Sequence, residues 1–288
     1  MPIDLDLLER TWNDPYSPFF SHFDLAFWGG GLTLLAAAPG TGKTSWLLQM
    51  AAEAAYRNIP AALICYEHTP DELFYRLVNQ ARAICWGPHH WGAEYEEEKF
   101  LNVLAPRTRV TLIQAHDNQD TVRAIRQTLI EDHAFTPGQP AFLAIDYLQR
   151  IPVLNATGLV REDIRSGEAA AALRELARET GWAVIAAAAV RSNAFTPTDS
   201  EFHPDLSLLL GDERVAYEPD RIIYLQRKHS LPCQCCARLT AYVLKDRTAP
   251  LRAIPLLFWG GRFTIAKLDT TSGIATPVDE DKNDEILI

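Results

Sequence analysis

The sequence has little lysine, little cysteine and no long apolar run, and each scarcity removes a class of protein. Six of its 27 basic residues are lysines (Lys43, Lys99, Lys228, Lys245, Lys267 and Lys282), and 37 acids bring the formal charge to −10. That balance disfavours a protein coating duplex DNA with positive charge, but not one holding nucleic acid on a small basic surface. Five cysteines (Cys65, Cys85, Cys233, Cys235 and Cys236) are too few and too unevenly placed in 288 residues for a disulfide framework. The longest apolar stretches, such as Ala183 to Val190, fall far short of the roughly 20 residues a membrane helix needs. Asp4 and Asp6 stand where a secretory leader would carry its basic segment. A cytoplasmic protein with no membrane partner is therefore expected. Internal repeats and Gly/Ser- or Pro-rich linkers are missing as well, so nothing splits the chain into separate folding units.

What is present is an alternation of apolar runs and helix-length amphipathic runs, the pattern of an α/β fold with a largely parallel sheet. Leu32 to Ala38, Ala61 to Tyr66, Val110 to Gln114, Ala141 to Asp146, Ala183 to Ala189 and Arg221 to Gln226 read as strands. Helices are expected from Lys43 to about Arg57, from the Thr69 cap onward, from Asp120 to His133 and from Gly167 to Thr180. Leu239 to Lys245 and Ile254 to Phe263 read as a closing antiparallel pair of strands. Residues 1–24 are expected to form an N-terminal arm, 25–268 the folded domain and 269–288 a mobile acidic tail. The tail holds six acids against Lys282, half the net charge of the chain.

Ala37-Ala38-Pro39-Gly40-Thr41-Gly42-Lys43-Thr44, followed by Ser45, carries the strongest chemical signal. It matches G-x-x-x-x-G-K-[ST] with Ala37 in place of the first glycine. Gly40 and Gly42 let successive backbone N–H groups turn toward a phosphate, and the following helix adds the positive end of its dipole. Lys43 is placed to reach the β- and γ-phosphates of a nucleotide, and the Thr44 hydroxyl to ligate Mg²⁺. Phe142-Leu143-Ala144-Ile145-Asp146 is an apolar strand ending in an acid, which after a phosphate loop makes Asp146 either a second Mg²⁺ ligand beside Thr44 or an ordinary strand-end cap. Glu67 ends the second strand, where it either polarises the water attacking the γ-phosphate or is an ordinary helix-entry acid. Lys245 and Arg247, one residue apart at a strand end, either stabilise transition-state charge in a neighbouring subunit's site or are solvated strand-end charges. His229, Cys233 and Cys236 are three potential zinc ligands lacking a fourth; the alternative is a loop of reduced cysteines.

Taken in order, these pieces resemble the RecA-fold ATPase domain of replicative hexameric helicases of the DnaB type, over about Phe23 to Lys267. Cys65-Tyr66-Glu67-His68-Thr69-Pro70-Asp71-Glu72-Leu73, with Arg76, is similar to the family's Ser-Leu-Glu-Met segment. Ile145-Asp146-Tyr147-Leu148-Gln149 is identical to its Walker B core. Leu206-Ser207 and Glu218 to Leu225 resemble its late helix and strand, and Lys245-Asp246-Arg247 its Lys-Asn-Arg finger. The resemblance implies a single RecA-like P-loop NTPase domain that hydrolyses ATP with Mg²⁺. It implies Glu67 as catalytic glutamate, and Lys245 and Arg247 acting in trans within a homo-oligomeric, hexameric ring. It also implies single-stranded DNA in the pore, near Pro152 to Arg165 and Arg191 to Arg214, with Arg161, Arg165, Arg191 and Arg214 as candidate phosphate contacts.

The pattern departs from the family in two places. Ala188-Ala189 stands where the family has a Ser-Gln sensor, which bears on the coupling of hydrolysis to DNA movement. The full helicases carry an N-terminal domain and a long linker ahead of this region. Here that place is taken by the arm, whose Leu5, Leu7, Leu8 and Trp12 either latch onto a neighbour or pack on the chain's own core. The glutamate segment is also similar to the KaiC-like branch. The second reading is therefore an ATP-driven assembly switch, acting through the arm or the acidic tail on a protein partner without DNA.

Overall fold

The computed structural model describes residues 18–86, 97–155, 158–191, 204–230, 236–268 and 275–276. Its centre is built from runs too apolar to leave a face in water. β3 (Leu32–Ala37), β4 (Ala61–Cys65), β6 (Phe142–Asp146) and β9 (Ala183–Ala188) are buried at every residue. Such strands need cover on both faces, which parallel sheets obtain from crossover helices. α1 (Lys43–Tyr56) and α2 (Pro70–Trp86) pack with Leu35, Leu63 and Ile185 on one face. α4 (Val122–Asp132) and α5 (Glu162–Thr180) pack with Leu34, Ile64 and Ala186 on the other. A further helix, α3 (Glu97–Arg107), lies against α2 through Phe100.

β5 (Thr111–Gln114) and β10 (Arg221–Ser230) flank these strands, all parallel. β11 (Cys236–Asp246), β12 (Ala253–Trp259), β13 (Thr264–Leu268) and β14 (Ala275–Thr276) extend the sheet antiparallel from β10. Among the described residues the order is β14-β13-β12-β11-β10-β3-β9-β6-β4-β5, while β7 (Leu154–Asn155) and β8 (Gly158–Leu159) pair with each other apart from this sheet. This is the α/β class expected, with a longer antiparallel wing. The expected closing pair is a four-strand extension, because Ile254 to Phe263 is not one strand. Gly260–Arg262 forms a 3-10 turn, and Phe263 takes φ 52°, so the chain reverses there and pairs back as β13.

Two other boundaries differ from the expectation. α5 begins at Glu162 rather than Gly167. Residues 20–24 do not stand off as an arm. β1 (Phe20–His22) and β2 (Leu25–Phe27) make a hairpin whose two turn residues, Phe23 (φ 50°) and Asp24 (φ 64°), are both left-handed. Phe23 is fully buried against Trp46 of α1, so the hairpin belongs to the core. Leu5, Leu7, Leu8, Trp12 and Cys233, together with the acidic tail apart from Ala275 and Thr276, lie outside the described residues. No described helix is long and apolar enough to cross a membrane.

Candidate active site

The parallel strands converge their C-terminal ends on one cleft, the crevice where open α/β sheets bind ligands. Between β3 and α1, Gly40 (φ 71°) and Gly42 (φ 105°) take the left-handed conformations that glycine alone adopts without strain. The turn is closed by the Thr41 hydroxyl donating to Ala38 O at 2.9 Å and by Trp46 N donating to Gly42 O at 3.0 Å. Ala38, Pro39 and Ser45 complete the loop, and α1 starts at Lys43 directly behind it. The cleft has a volume of about 390 Å³ and is lined by Lys43, Thr44, Glu67, His68, Arg76, Asp146, Ala189, Phe258 and Phe263, among others.

Within it the charged groups are arranged by strand ends. Asp146 ends β6 and is almost wholly buried, its Oδ2 accepting the Thr44 hydroxyl at 2.5 Å. Burial pushes its carboxyl up from the ordinary range, while the Thr44 bond and the Lys43 charge pull it back. Lys43 Nζ donates to Ala37 O (2.9 Å) and Ala38 O (3.1 Å), so the ammonium lies along the loop. Burial lowers its proton affinity, and the charges of Asp146 and Glu67 oppose that. Glu67 is exposed at the cleft, two residues beyond β4. Cys65 lies under this cluster, and burial beside Asp146 pushes its thiol up to about 12, so it stays a thiol.

α2 starts with a capping box: Thr69 N donates to Glu72 Oε2 at 3.0 Å, and Glu72 N to Thr69 Oγ1 at 3.3 Å. That start aims Arg76 at the cleft, where its Nη2 lies 3.0 Å from His68 Nε2 and its guanidinium sits 5.3 Å from the Phe263 ring centroid. The Phe258 ring would touch a Cβ at Gly42, at 3.4 Å, so an aromatic shelf from the antiparallel wing stands against the phosphate loop. Sequence reasoning did not find Phe258 and Phe263 as cleft residues. The signal was the Gly260-Gly261 pair, which turns the wing back between them.

Lys245 and Arg247 stand elsewhere. β11 runs antiparallel to β10, and Arg221, the first residue of β10, pairs with Asp246. Arg247 N donates to Asp220 O (3.1 Å) and Asp220 N to Leu32 O (2.8 Å), which ties the pair to the start of β3. The phosphate loop leaves the other end of β3, after Ala37. A strand of this length separates the two by roughly 17 Å. Lys245 Nζ donates to Ala216 O and Tyr217 O, both at 2.8 Å, and Arg247 Nη2 to Tyr217 O at 3.2 Å.

Ala189 lines the cleft and offers it no side-chain polar group. Arg191 donates to the carbonyls of Ser207 (3.1 Å), Leu209 (3.1 Å) and Gly211 (3.4 Å). Arg214 pairs with Glu168 (2.6 Å) and Asp212 (3.0 Å). Arg161 is exposed at the start of α5, one turn ahead of the half-buried Arg165. Of the three potential zinc ligands, Cys236 is buried beside Ala83 and Trp259, Cys233 lies outside the described residues, and only the backbone of His229 is described, on β10. Among the described residues no three metal-ligating side chains gather.

The comparisons with known proteins agree with this architecture. The model of the DnaB-like helicase C terminal domain matches residues 20–265. The structure is similar to that of the "ATPase Domain of G40P" (TM-score 0.74, 18% identity, 93% of this chain and 100% of that one). It is also similar to a DnaB-like replicative helicase solved in a study of its interactions with primase (TM-score 0.71, 18% identity, 90% of this chain and 67% of that one). No curated protein matches. The chain belongs to the DnaB-like helicase C-terminal domain family and is a P-loop ATPase of that kind.

Proposed function

We propose that the chain hydrolyses ATP at sites shared between neighbouring copies in a homo-oligomeric ring, a hexamer by the resemblance, and that hydrolysis drives a motor on single-stranded DNA. The placement of Lys245 and Arg247 carries this reading. They stand at the opposite end of the sheet from Lys43, too far to serve their own cleft, which supports a role in that of another copy. In this reading the N–H groups from Ala38 to Ser45 cradle the phosphates, and Lys43 leaves its loop carbonyls for the β- and γ-oxygens. The hydroxyl of Thr44 and the carboxylate of Asp146 are hard oxygen donors beside the phosphate loop, a set that suits Mg²⁺. When bound, the ion neutralises charge on the phosphate oxygens.

Glu67 accepts a proton from the attacking water as its oxygen bonds to the γ-phosphorus and the bond to the β-γ bridging oxygen breaks, releasing ADP. Lys245 and Arg247 of the adjacent copy stabilise the charge that builds on the transferring group, a role worth about 10³- to 10⁵-fold in rate. The aromatic shelf of Phe258 and Phe263 offers the base a stacking surface. The test is steady-state ATP hydrolysis with and without single-stranded DNA, with Glu67→Gln as the control. Stimulation of about tenfold or more, weakened by salt and lost in the variant, is expected of a motor.

A second reading, an assembly switch acting on a protein partner, is favoured by specific contacts. Ala189 presents no amide to a γ-phosphate, and Arg191 and Arg214 spend their guanidinium groups within the chain. Turnover that depends on Glu67 but ignores DNA selects that reading.

A further inference from the structure

The cleft and the cations meant for another copy's cleft are joined inside one chain. Gln149 stands three residues beyond Asp146, in the 3-10 turn Leu148–Arg150. Its Oε1 accepts Ala189 N at 2.9 Å, on the cleft wall, and its Nε2 donates to Leu210 O at 3.0 Å. Leu210 N returns a bond to Ala189 O at 3.1 Å. From Leu210 the chain runs through Gly211 (φ 134°) into the short helix Arg214–Tyr217.

That run packs along α5. There is no room for a Cβ at Gly167, because the Asp212 carboxylate occupies its place, and a Cβ at Gly211 would strike Val215. Arg214 bridges Asp212 and Glu168. The run ends on the Ala216 and Tyr217 carbonyls, unpaired within the helix, and these hold Lys245 and Arg247. Eight residues, Leu210 to Tyr217, thus connect the wall of one nucleotide cleft to the cations that complete the next.

We propose that Gln149 is a positioning residue for these cations: it fixes residues 210–217 as a strut between the chain's own cleft and the Lys245–Arg247 pair offered to the adjacent copy. The inference rests on the trans placement proposed above. It follows that a shift of the cleft wall at Ala189 is delivered to the adjacent site, and that Gln149 does at a distance what the missing sensor amide would do locally.

Mixed oligomers separate the two claims. An Arg247→Ala subunit keeps its own cleft but offers a defective finger, while a Glu67→Gln subunit has a dead cleft but offers an intact finger. Mixed one to one, they are expected to regain at least about tenfold more hydrolysis than either alone, because one supplies what the other lacks. Gln149→Leu is then placed in the Glu67→Gln subunit, whose only remaining contribution is its finger. A fall of about fivefold or more in the regained activity, with KM for ATP unchanged and native mass spectrometry showing the variant in the mixed ring, is the expected result.

Gln149→Glu keeps the acceptor for Ala189 N but loses the donor to Leu210 O, so it is expected to fall likewise. It carries the test where the leucine form fails to co-assemble. Regained activity that survives both substitutions overturns the role of Gln149 and leaves the trans finger standing. No regain in the original mixture overturns the trans finger, and the inference with it.

Discussion

Asp220 is the residue on which the far end of the sheet is hung, and its replacement has a calculable cost. Its carboxylate is 9% exposed and meets Arg174, itself 13% exposed, at 2.5 Å. The same oxygen accepts Leu32 N at 2.9 Å, and the other lies 3.3 Å from Arg247. Burial pushes the Arg174 guanidinium down from its ordinary range, and the Asp220 charge is the main force opposing that. Breaking a buried pair by removing one partner costs about 3–5 kcal/mol, because the survivor stays desolvated. Arg247 is half exposed, so its share is at most about 1 kcal/mol.

Asp220→Asn keeps an acceptor for Leu32 N, which places the expected loss near the lower bound, about 3 kcal/mol. Arg174 would retain Gly30 O, at 2.6 Å, as its remaining partner. Equilibrium urea unfolding at neutral pH measures this directly. If the cost is the stranded Arg174 cation, adding Arg174→Met to Asp220→Asn returns about 2 kcal/mol, a coupling visible in a double-mutant cycle. A loss below about 1 kcal/mol, or strict additivity of the two changes, would refute the reasoning.

Two other perturbations test different parts of the fold. Gly167→Ala drives a methyl into the Asp212 carboxylate, so it is expected to cost about 1–3 kcal/mol and to lower kcat more than nucleotide affinity, read by unfolding and by ATPase kinetics. His22 is fully buried beside Trp46 with both ring nitrogens unpartnered, and burial, aided by the Arg57 charge, holds it at about 3 against 6.5 when unfolded. Between those values the unfolded chain binds a proton that the folded chain refuses, so stability falls as pH drops through that window. By pH 5 the loss is about 2 kcal/mol relative to pH 7, and His22→Phe is expected to flatten it in pH-dependent unfolding curves.

The sequence made the sheet legible because parallel strands covered on both faces must be apolar throughout. Ala183 to Ala188 and Phe142 to Ile145 can hardly be read otherwise. The phosphate loop was legible because its glycines answer a local backbone demand, met at Gly40 and Gly42. What was hidden depends on contacts between distant residues. Nothing near Arg191 in the chain foretells that it clasps Ser207, Leu209 and Gly211 rather than reaching outward. Gln149 reaches partners 40 and 61 residues away. Phe20 to Asp24 reads as the end of an arm because its burial comes from Trp46 and Phe142, supplied by other elements. The wing departs from its sequence pattern at one point: the apparent strand Ile254 to Phe263 ends at Trp259, and a Gly-Gly pair with the left-handed Phe263 turns the chain back into β13.

The separation of Lys245 and Arg247 from their own cleft by the length of β3 makes one measurement decisive for the central claim. Specific ATPase activity is followed as the protein is diluted, with molar mass read by light scattering on the same samples. Turnover per subunit is expected to appear with the oligomer and to fall by about 10³-fold or more in the monomer, the magnitude of a lost finger. A monomer that hydrolyses ATP at the oligomer's rate would contradict the account.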